Sequence, residues 1–455
     1  MTIMGKLAIA ALGAFALLQA VRPSIPVRPA TAEVQASPEV KRILEKNCYS
    51  CHSDQRRLSW FDEIVPGYWL VRRDIITARD HLNFSTLGSK PVAMQRAALY
   101  EAVNMIQLGA MPLPAFVRVH PESRVSPEEL DVLKEYLAPW ATAPSQLRSG
   151  QTAADKSSLP RVSLAEVEPE FNGLAFDADF ESWKLIGTTD RGDNNTFRFI
   201  LGNEVAVRAA RSGNISPWPD GSRFAKVAWQ QELGPDGLLH SGKFIQVELM
   251  VKDAKRYKDT EGWGWGRWRG LDLKPYGKNA AFVNECTACH RPLKGNDYVY
   301  TLPIANAQVG KLEIVNNRAA TLPTALPYRP LDWNPIKMYV DAKTHTTATL
   351  FGNEVAFRSA QRRGDAIVGE STSPNYPAGA VLALVTWGQR DDPHWFGARI
   401  PDTPQSVEFV QVSVAGQTSD YRRFGGPIFS EDHLSTLARE ERTAFLLGLV
   451  PMQVP

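Results

Sequence analysis

Two five-residue segments limit what this chain can become. Cys48-Tyr49-Ser50-Cys51-His52 and Cys286-Thr287-Ala288-Cys289-His290 hold all four cysteines of the 455-residue sequence. Each reads C-x-x-C-H, the attachment pattern of a c-type haem. Two thiols one helical turn apart reach the two vinyl groups of one porphyrin, and the adjacent histidine faces the iron as its proximal ligand. The chain has 8 histidines, so two of them following two cysteine pairs is a rare coincidence. Rival chemistries for such pairs are a zinc site, a thioredoxin-like redox pair or disulfides. A zinc site would gather four ligands, whereas these pairs lie in opposite halves of the chain. The pattern therefore predicts two covalently attached haems. Cys48, Cys51, Cys286 and Cys289 are the thioether donors, and His52 and His290 are the iron ligands.

Attachment of this kind follows export, and the N-terminus agrees. Lys6 precedes an apolar run over residues 7–21, and Ala30-Thr31-Ala32 offers a small-residue cleavage site. The run is shorter than the roughly 20 residues of a typical span. Residues 1–32 therefore read as a cleaved signal peptide, with an uncleaved anchor as the alternative. Both place the protein in the periplasm or otherwise outside the cytoplasm, touching a membrane only if the segment stays. Lys plus Arg number 51 and Asp plus Glu 49. That balance favours neither nucleic acid nor a polybasic membrane surface.

The predicted fold class is multidomain α+β, with a helical cytochrome c-like haem domain over 33–142 followed by two mainly antiparallel β units. Ser37-Pro38 marks a helix start, and Val40, Ile43, Leu44 and Cys48 share one face. Ser126-Pro127-Glu128-Glu129 is a capping box that opens the last helix of this domain. Residues 143–160 are small and polar, a linker. The second unit, 161–310, carries the second motif near its end, on a helix that Asn279 can cap. A proline-rich linker, 311–345, leads to the last unit, 346–455.

That last unit repeats the second. Leu201-Gly-Asn-Glu-Val-Ala-Val-Arg208 differs from Phe351-Gly-Asn-Glu-Val-Ala-Phe-Arg358 only at its first and seventh residues. Phe224-Ala-Lys-Val-Ala-Trp229 pairs with Leu382-Ala-Leu-Val-Thr-Trp387, and Phe244-Ile-Gln-Val247 with Phe409-Val-Gln-Val412. These segments alternate and are rich in Val, Phe and Trp, so they read as strands. The last unit has no cysteine and is a haemless repeat.

Each haem then needs a sixth ligand or an open face. Met111, in Gly109-Ala-Met-Pro-Leu-Pro114, suits the axial thioether of an electron-transfer haem, with His81 as the competitor and His120 behind it. The second haem unit offers only Met250 and His240, the latter in a Gly-rich loop, so no strong sixth ligand is evident there. An open iron binds small molecules, whereas a doubly ligated one mainly passes electrons. Lys226 shares a strand face with Phe224 and Ala228, an apolar setting for an ammonium, and its counterpart in the haemless repeat is Leu384. The alternative is a snorkelling surface lysine. Trp263, Trp265 and Trp268 with Arg267 and Arg269 suit core packing and propionate pairing.

These motifs carry a resemblance. The first unit resembles a bacterial haem-binding domain family through Cys48-Tyr-Ser-Cys-His52, His81-Leu-Asn-Phe-Ser85 and Met111-Pro-Leu-Pro114. Residues 196–304 resemble the cytochrome P-460 family through Trp218-Pro-Asp-Gly221, Phe224-Ala-Lys226, the second haem motif and Asp297-Tyr298-Val-Tyr300. The resemblance implies a β-rich c-type cytochrome of the P-460 type for the second unit and its repeat. Family members oxidise hydroxylamine at a haem crosslinked to a lysine, and relatives without the crosslink bind nitric oxide. Lys226 matches the crosslinking position. A distal carboxylate has no clear place, with Glu248 and Glu232 as candidates. Two functions stay open. One is redox chemistry on a small nitrogen species such as hydroxylamine at the second haem, with electrons leaving through the first to other periplasmic redox proteins. The other is a non-catalytic electron carrier or nitric-oxide binder.

Overall fold

In a computed structural model of the protein, described over residues 3–142, 163–305, 316–364, 376–413, 420–426 and 428–455, the chain divides into two units, Met1–Pro139 and Trp140–Pro455. The expected linker at 143–160 falls outside the described residues.

The first unit is helical. Helix α1 (Ile3–Leu18) precedes an extended stretch, and α2 (Pro38–Asn47) starts where the Ser37 side chain accepts a hydrogen bond from Val40 N. A proline at the first helical position costs nothing, because that N–H has no partner in a helix anyway. Val40, Ile43 and Leu44 form the buried face. The helix breaks at Cys48 (φ −123°) and resumes as the single turn α3 (Tyr49–His52). Then come α4 (Gly67–His81), which packs against α3, α5 (Val92–Gln107), α6 (Pro114–Val119) and α7 (Pro127–Thr142). The capping box forms: Glu129 N donates to Ser126 Oγ at 3.2 Å, and Ser126 N donates to Glu129 Oε2 at 3.1 Å.

The second unit is one closed antiparallel barrel. Its strands are β1 (Lys184–Arg191), β2 (Thr196–Gly202), β3 (Arg223–Leu233), β4 (Leu239–Lys252), β5 (Trp263–Arg269) and β6 (Lys274–Pro275) from the first repeat. The second repeat supplies β7 (Asn334–Asp341), β8 (Thr346–Gly352), β9 (Val381–Asp392), β10 (Trp395–Gln411), β11 (Asp420–Gly425) and β12 (Ser430–Asp432). The order β1-β2-β3-β4-β7-β8-β9-β10 closes when β10 returns to β1 at Asp190↔Arg399 and Arg191↔Ala398. Strands β5 and β6 extend from β4, and β11 and β12 from β10.

Three sequence expectations change here. The two repeats do not form separate β units; they share one barrel. Its inner core mixes Phe197, Val227, Trp229 and Val247 with Val385, Trp387, Val407 and Phe409. A half-barrel would leave two open edges and half of this apolar face wet, and closure removes both. The repeat also starts earlier than residue 346, because β7 lies inside the span read as a linker. Pro335 hid this strand, and it sits at a register shift, where a missing N–H is tolerated. Finally, the repeated Gly-Asn-Glu-Val-Ala segments are not strands. Asn203 caps α8 (Glu204–Ser212) by accepting from Ala206 N at 3.0 Å, and Asn353 caps α10 (Glu354–Gly364) by accepting from Ala356 N at 3.0 Å. Asn favours this position because its short side chain satisfies a free helical N–H.

Candidate haem sites

In the first unit, the turn α3 brings Cys48, Cys51 and His52 together. The cysteines are free thiols rather than a disulfide. Burial pushes Cys48 up to about 12 and Cys51 to about 11. His52 Nδ1 lies 2.9 Å from the Leu82 carbonyl, which makes Nδ1 the donor and leaves Nε2 with a lone pair. Burial also lowers the His52 pKa and keeps the ring neutral, the form that binds iron. Phe84 N donates to the His52 carbonyl at 2.8 Å, and the Phe84 ring stacks on Tyr49 at 5.4 Å. The Ser85 hydroxyl accepts from Asp54 N at 2.9 Å. The His81-to-Ser85 element therefore orients His52 from behind. His81 is exposed and adjoins Leu82, on the side of the residue that holds Nδ1, so it is poorly placed to face His52 across a ring.

His120 is excluded by its own bonds. Nε2 lies 2.9 Å from Asp62 Oδ1 and Nδ1 3.1 Å from Glu122 Oε1, while Phe61 and Phe116 stack on the ring at 4.9 and 4.1 Å. Both nitrogens are used, so this is a structural histidine. Met111 is half-buried in the loop between α5 and α6, tied by Met111 N to Met105 O at 3.0 Å.

In the second unit, Asn279 caps a 3-10 turn (Ala280–Phe282), which runs into α9 (Val283–His290). Cys286 packs against an apolar cluster that includes Ile186, Phe224, Trp263 and Trp265 on the outer face of the barrel. His290 repeats the device of His52: Nδ1 lies 2.6 Å from the Tyr298 carbonyl. Burial pushes His290 down to about 4, so it too is neutral. Trp265 and Tyr300 flank its ring at 4.5 and 5.0 Å.

The Tyr298 carbonyl is itself held. Asp297 and Tyr298 have φ of 46° and 68°, a left-handed backbone that needs outside support. Asp297 supplies it by accepting from Trp218 N at 2.9 Å and pairing with the buried Lys252 Nζ at 2.8 Å. Trp263 Nε1 donates to the Asp297 carbonyl at 3.0 Å. The Trp218-Pro-Asp-Gly and Asp297-Tyr298 motifs thus meet to aim one histidine. Glu170 does similar work at the start of the helix, accepting from Arg267 N, Tyr276 N and Gly277 N at 3.2, 2.9 and 3.2 Å. Sequence reading gave no role to Lys252 or Glu170 and met Asp297 only as part of a motif, without its partners. Their partners lie far apart in the chain, so no spacing rule could find them.

Lys226 is half-buried, and its setting is not purely apolar. It stands opposite Glu248 on the next strand, and Glu248 stands opposite Arg267 on the one after. Lys226 Nζ is 2.6 Å from Glu248 Oε2, and Arg267 Nε is 3.3 Å from Glu248 Oε1. Burial pushes Lys226 down to about 8, although Glu248 opposes the shift. Burial alone would raise Glu248, but Lys226 and Arg267 outweigh it and hold the carboxyl at about 2. All three groups act electrostatically on Cys286 and His290. Of the two carboxylate candidates, Glu248 joins the site. Glu232 is exposed and accepts from Lys243 N at 3.2 Å, away from it. His240 is on β4, not in a loop, and its Nε2 lies 2.8 Å from Asp236 Oδ2.

The second repeat keeps the register and loses the chemistry. Leu384 faces Glu408 and Leu350 as Lys226 faces Glu248 and Ile200, and Arg423 faces Glu408 as Arg267 faces Glu248. Arg442, on α11 (Thr436–Gly448), pairs with Glu408 through two bonds of 2.7 and 2.8 Å, and Tyr421 donates to it at 2.6 Å. Leu350, Leu382, Leu384, Leu446 and Leu449 fill this outer face as a core.

The residues of the first repeat fit a haem. They combine two cysteines not joined in a disulfide, a neutral histidine with its rear nitrogen fixed, and an apolar wall. Buried Arg198 Nε, Trp218 Nε1 and Trp265 Nε1 have no hydrogen-bond partner, which suits a site whose polar partner is a bound group. Among the described residues no group of three or more metal-ligating side chains gathers, so the zinc reading has no geometry. No curated protein matches this chain. A family model described as haem-binding domain matches residues 9–139, and one described as cytochrome P460 matches residues 177–301. The chain is a haem protein in which a haem-binding domain is followed by a cytochrome P460 domain.

Proposed function

We propose that this protein is an exported c-type cytochrome with two covalently attached haems. One is held by Cys48, Cys51 and His52, the other by Cys286, Cys289 and His290. The second haem meets a small nitrogen species such as hydroxylamine, and electrons leave through the first to a periplasmic redox partner. Met111 serves the first haem as sixth ligand. A bound haem supplies iron that takes small ligands and passes electrons. The chain supplies the rest. Asp297 and the Tyr298 carbonyl orient His290, and Trp263 and Trp265 exclude water.

The observation that carries this reading is the Lys226–Glu248–Arg267 row beside the second motif. Oxidising hydroxylamine releases protons and leaves positive charge behind, and Glu248, held ionised by Lys226 and Arg267, offsets that charge beside the second motif. An amine titrating near 8 is partly neutral around neutral pH, and the neutral amine, not the ammonium, is the form that could bond to a porphyrin edge already activated by an external two-electron oxidant such as a peroxide, with one N–H and one ring C–H proton leaving. One observation favours a second reading. The 2.6 Å pair with Glu248 stabilises the ammonium, which is not nucleophilic. An uncrosslinked haem beside that pair would be a nitric-oxide binder.

An absorption spectrum taken with and without hydroxylamine separates the two. A shifted spectrum with turnover supports the crosslinked enzyme. An ordinary c-type spectrum that changes with nitric oxide and gives no turnover supports the gas binder. No haem signal at all would overturn both.

A further inference from the structure

Residues 19–32 are built into the haem-binding domain. Gln19 exchanges two bonds with the Val65 backbone: Val65 N donates to Oε1 at 2.9 Å, and Nε2 donates to the Val65 carbonyl at 3.1 Å. Trp69 Nε1 donates to the Val21 carbonyl at 2.8 Å, Tyr68 Oη to Pro23 at 2.5 Å and Arg72 Nε to Ser24 at 3.1 Å. Arg79 donates to the Pro26 carbonyl, and Arg28 N donates to Asp54. Ile25 is 5% exposed and packs with Val65, Tyr68 and Ile75.

The expected cleavage site lies inside this strap. Thr31 N and Ala32 N both donate to the Ser85 carbonyl at 3.1 Å, and Gly88 N donates to the Ala32 carbonyl at 2.8 Å. The chain passes Gly88 so closely that a Cβ there would meet Glu33 O at 2.5 Å. Ser85 belongs to the element that orients His52. Cutting after Ala32 would therefore strip a strap from the scaffold of the first haem motif.

Helix α1 looks the other way. Leu7, Ile9, Leu12, Phe15 and Leu17 are exposed, and at 3.6 residues per turn they cover every side of the helix. A helix apolar all round wants an apolar solvent, not one flat partner face. At 16 residues it is about 24 Å long. Among the described residues no helix is long and apolar enough to cross a membrane. A short apolar helix is nonetheless accommodated in a lipid bilayer by local thinning and by snorkelling of flanking cations. Lys6 lies in its first turn, near the N-terminal end, and Arg22 follows its C-terminal end.

We infer that residues 1–32 are retained, with α1 inserted in a lipid bilayer and 19–32 as the strap that ties the haem-binding domain to it. This rests on the export part of the function proposed above and replaces cleavage at Ala32 with anchoring. The test is to export the full chain, tagged at its C-terminus, in a bacterium that attaches c-type haem, and then to fractionate the cells and measure intact mass. The expected protein starts at Met1 or Thr2, stays with membranes through high salt and alkaline carbonate, and is released by detergent. A chain starting at Gln19 behind a cleavable export signal should be soluble with unchanged haem content. One starting at Glu33 should unfold more readily in its first unit. A mature N-terminus at Val21 or Glu33, a full-length protein in the soluble fraction, or a Glu33 chain as stable as the Gln19 chain overturns the inference. Haem content of the same samples reports separately on export and attachment.

Discussion

Leu384 occupies in the second repeat the register position that Lys226 occupies in the first, each directly across from a glutamate. Around Lys226 the face is half-open, polar and next to a C-x-x-C-H helix, whereas around Leu384 it is closed by leucines. Duplication therefore gave one barrel with two outer faces, one equipped for a cofactor and one filled.

Exchanging these residues should be asymmetric. Leu384→Lys places an ammonium at a site with no exposure, where Glu408 is already paired with Arg442, and should cost about 3 kcal/mol or more. Lys226→Leu leaves Glu248 with Arg267 and should cost about 1 kcal/mol. Urea unfolding of both variants measures this, and equal costs would contradict the filled-face account. Lys226→Leu should still attach haem at Cys286 and Cys289 while losing any shifted absorption and any hydroxylamine oxidation.

The pH dependence follows from the same row. Glu248 sits at about 2 in the folded protein against an ordinary 4.5, so its stabilisation is complete above 4.5 and disappears as pH falls towards 2. Lys226 has the opposite sense. Its lowered value costs stability below about 8, and the cost is relieved as pH rises from there to 10.5. Glu248→Gln should flatten the acid limb of stability, measured as urea midpoints at about pH 5 and about pH 3. An unchanged limb would mean that other carboxylates set it.

Much of the site was legible because the C-x-x-C-H pattern is local and chemically specific. Ser37, Ser126 and Asn279 were also legible, since a cap is read from its own few residues. The closed barrel was not. Closure depends on β10 meeting β1 and β4 meeting β7, pairings without a local signal. Nor could a sequence show that Lys226 has Glu248 as partner, because cross-strand neighbours are set by register.

His120→Ala should destabilise the first unit by about 2–3 kcal/mol, because it removes a buried bond to Asp62 and a ring stacked between Phe61 and Phe116. Its haem absorption should not change. Met111→Ala should instead open the first haem to carbon monoxide with little loss of stability, and His81→Ala should not. Carbon monoxide difference spectra of the three variants decide this, and an open site in His81→Ala alone would reverse the ligand assignment.

The β9–β10 turn of the haemless repeat reaches the second site. His394 Nδ1 lies 2.6 Å from the Tyr300 carbonyl, and Trp395 meets the Tyr300 ring at 5.7 Å, beside His290. The Arg191 guanidinium lies 4.2 Å over Trp395. Trp395→Ala should admit water to this shell, stabilise the ferric state and lower the second haem's midpoint potential without changing haem content. Redox titration measures it, and an unchanged potential would confine the turn to barrel closure.

The central claim is that one haem is bonded at Cys48 and Cys51, another at Cys286 and Cys289, and none in the second repeat. Intact mass under denaturing conditions tests it most directly, because only covalent haem survives. The exported protein should weigh its polypeptide plus two haems, and Cys286→Ala with Cys289→Ala should leave one. A mass with one haem or none in the unmodified protein, or two haems remaining after that double substitution, would contradict the account.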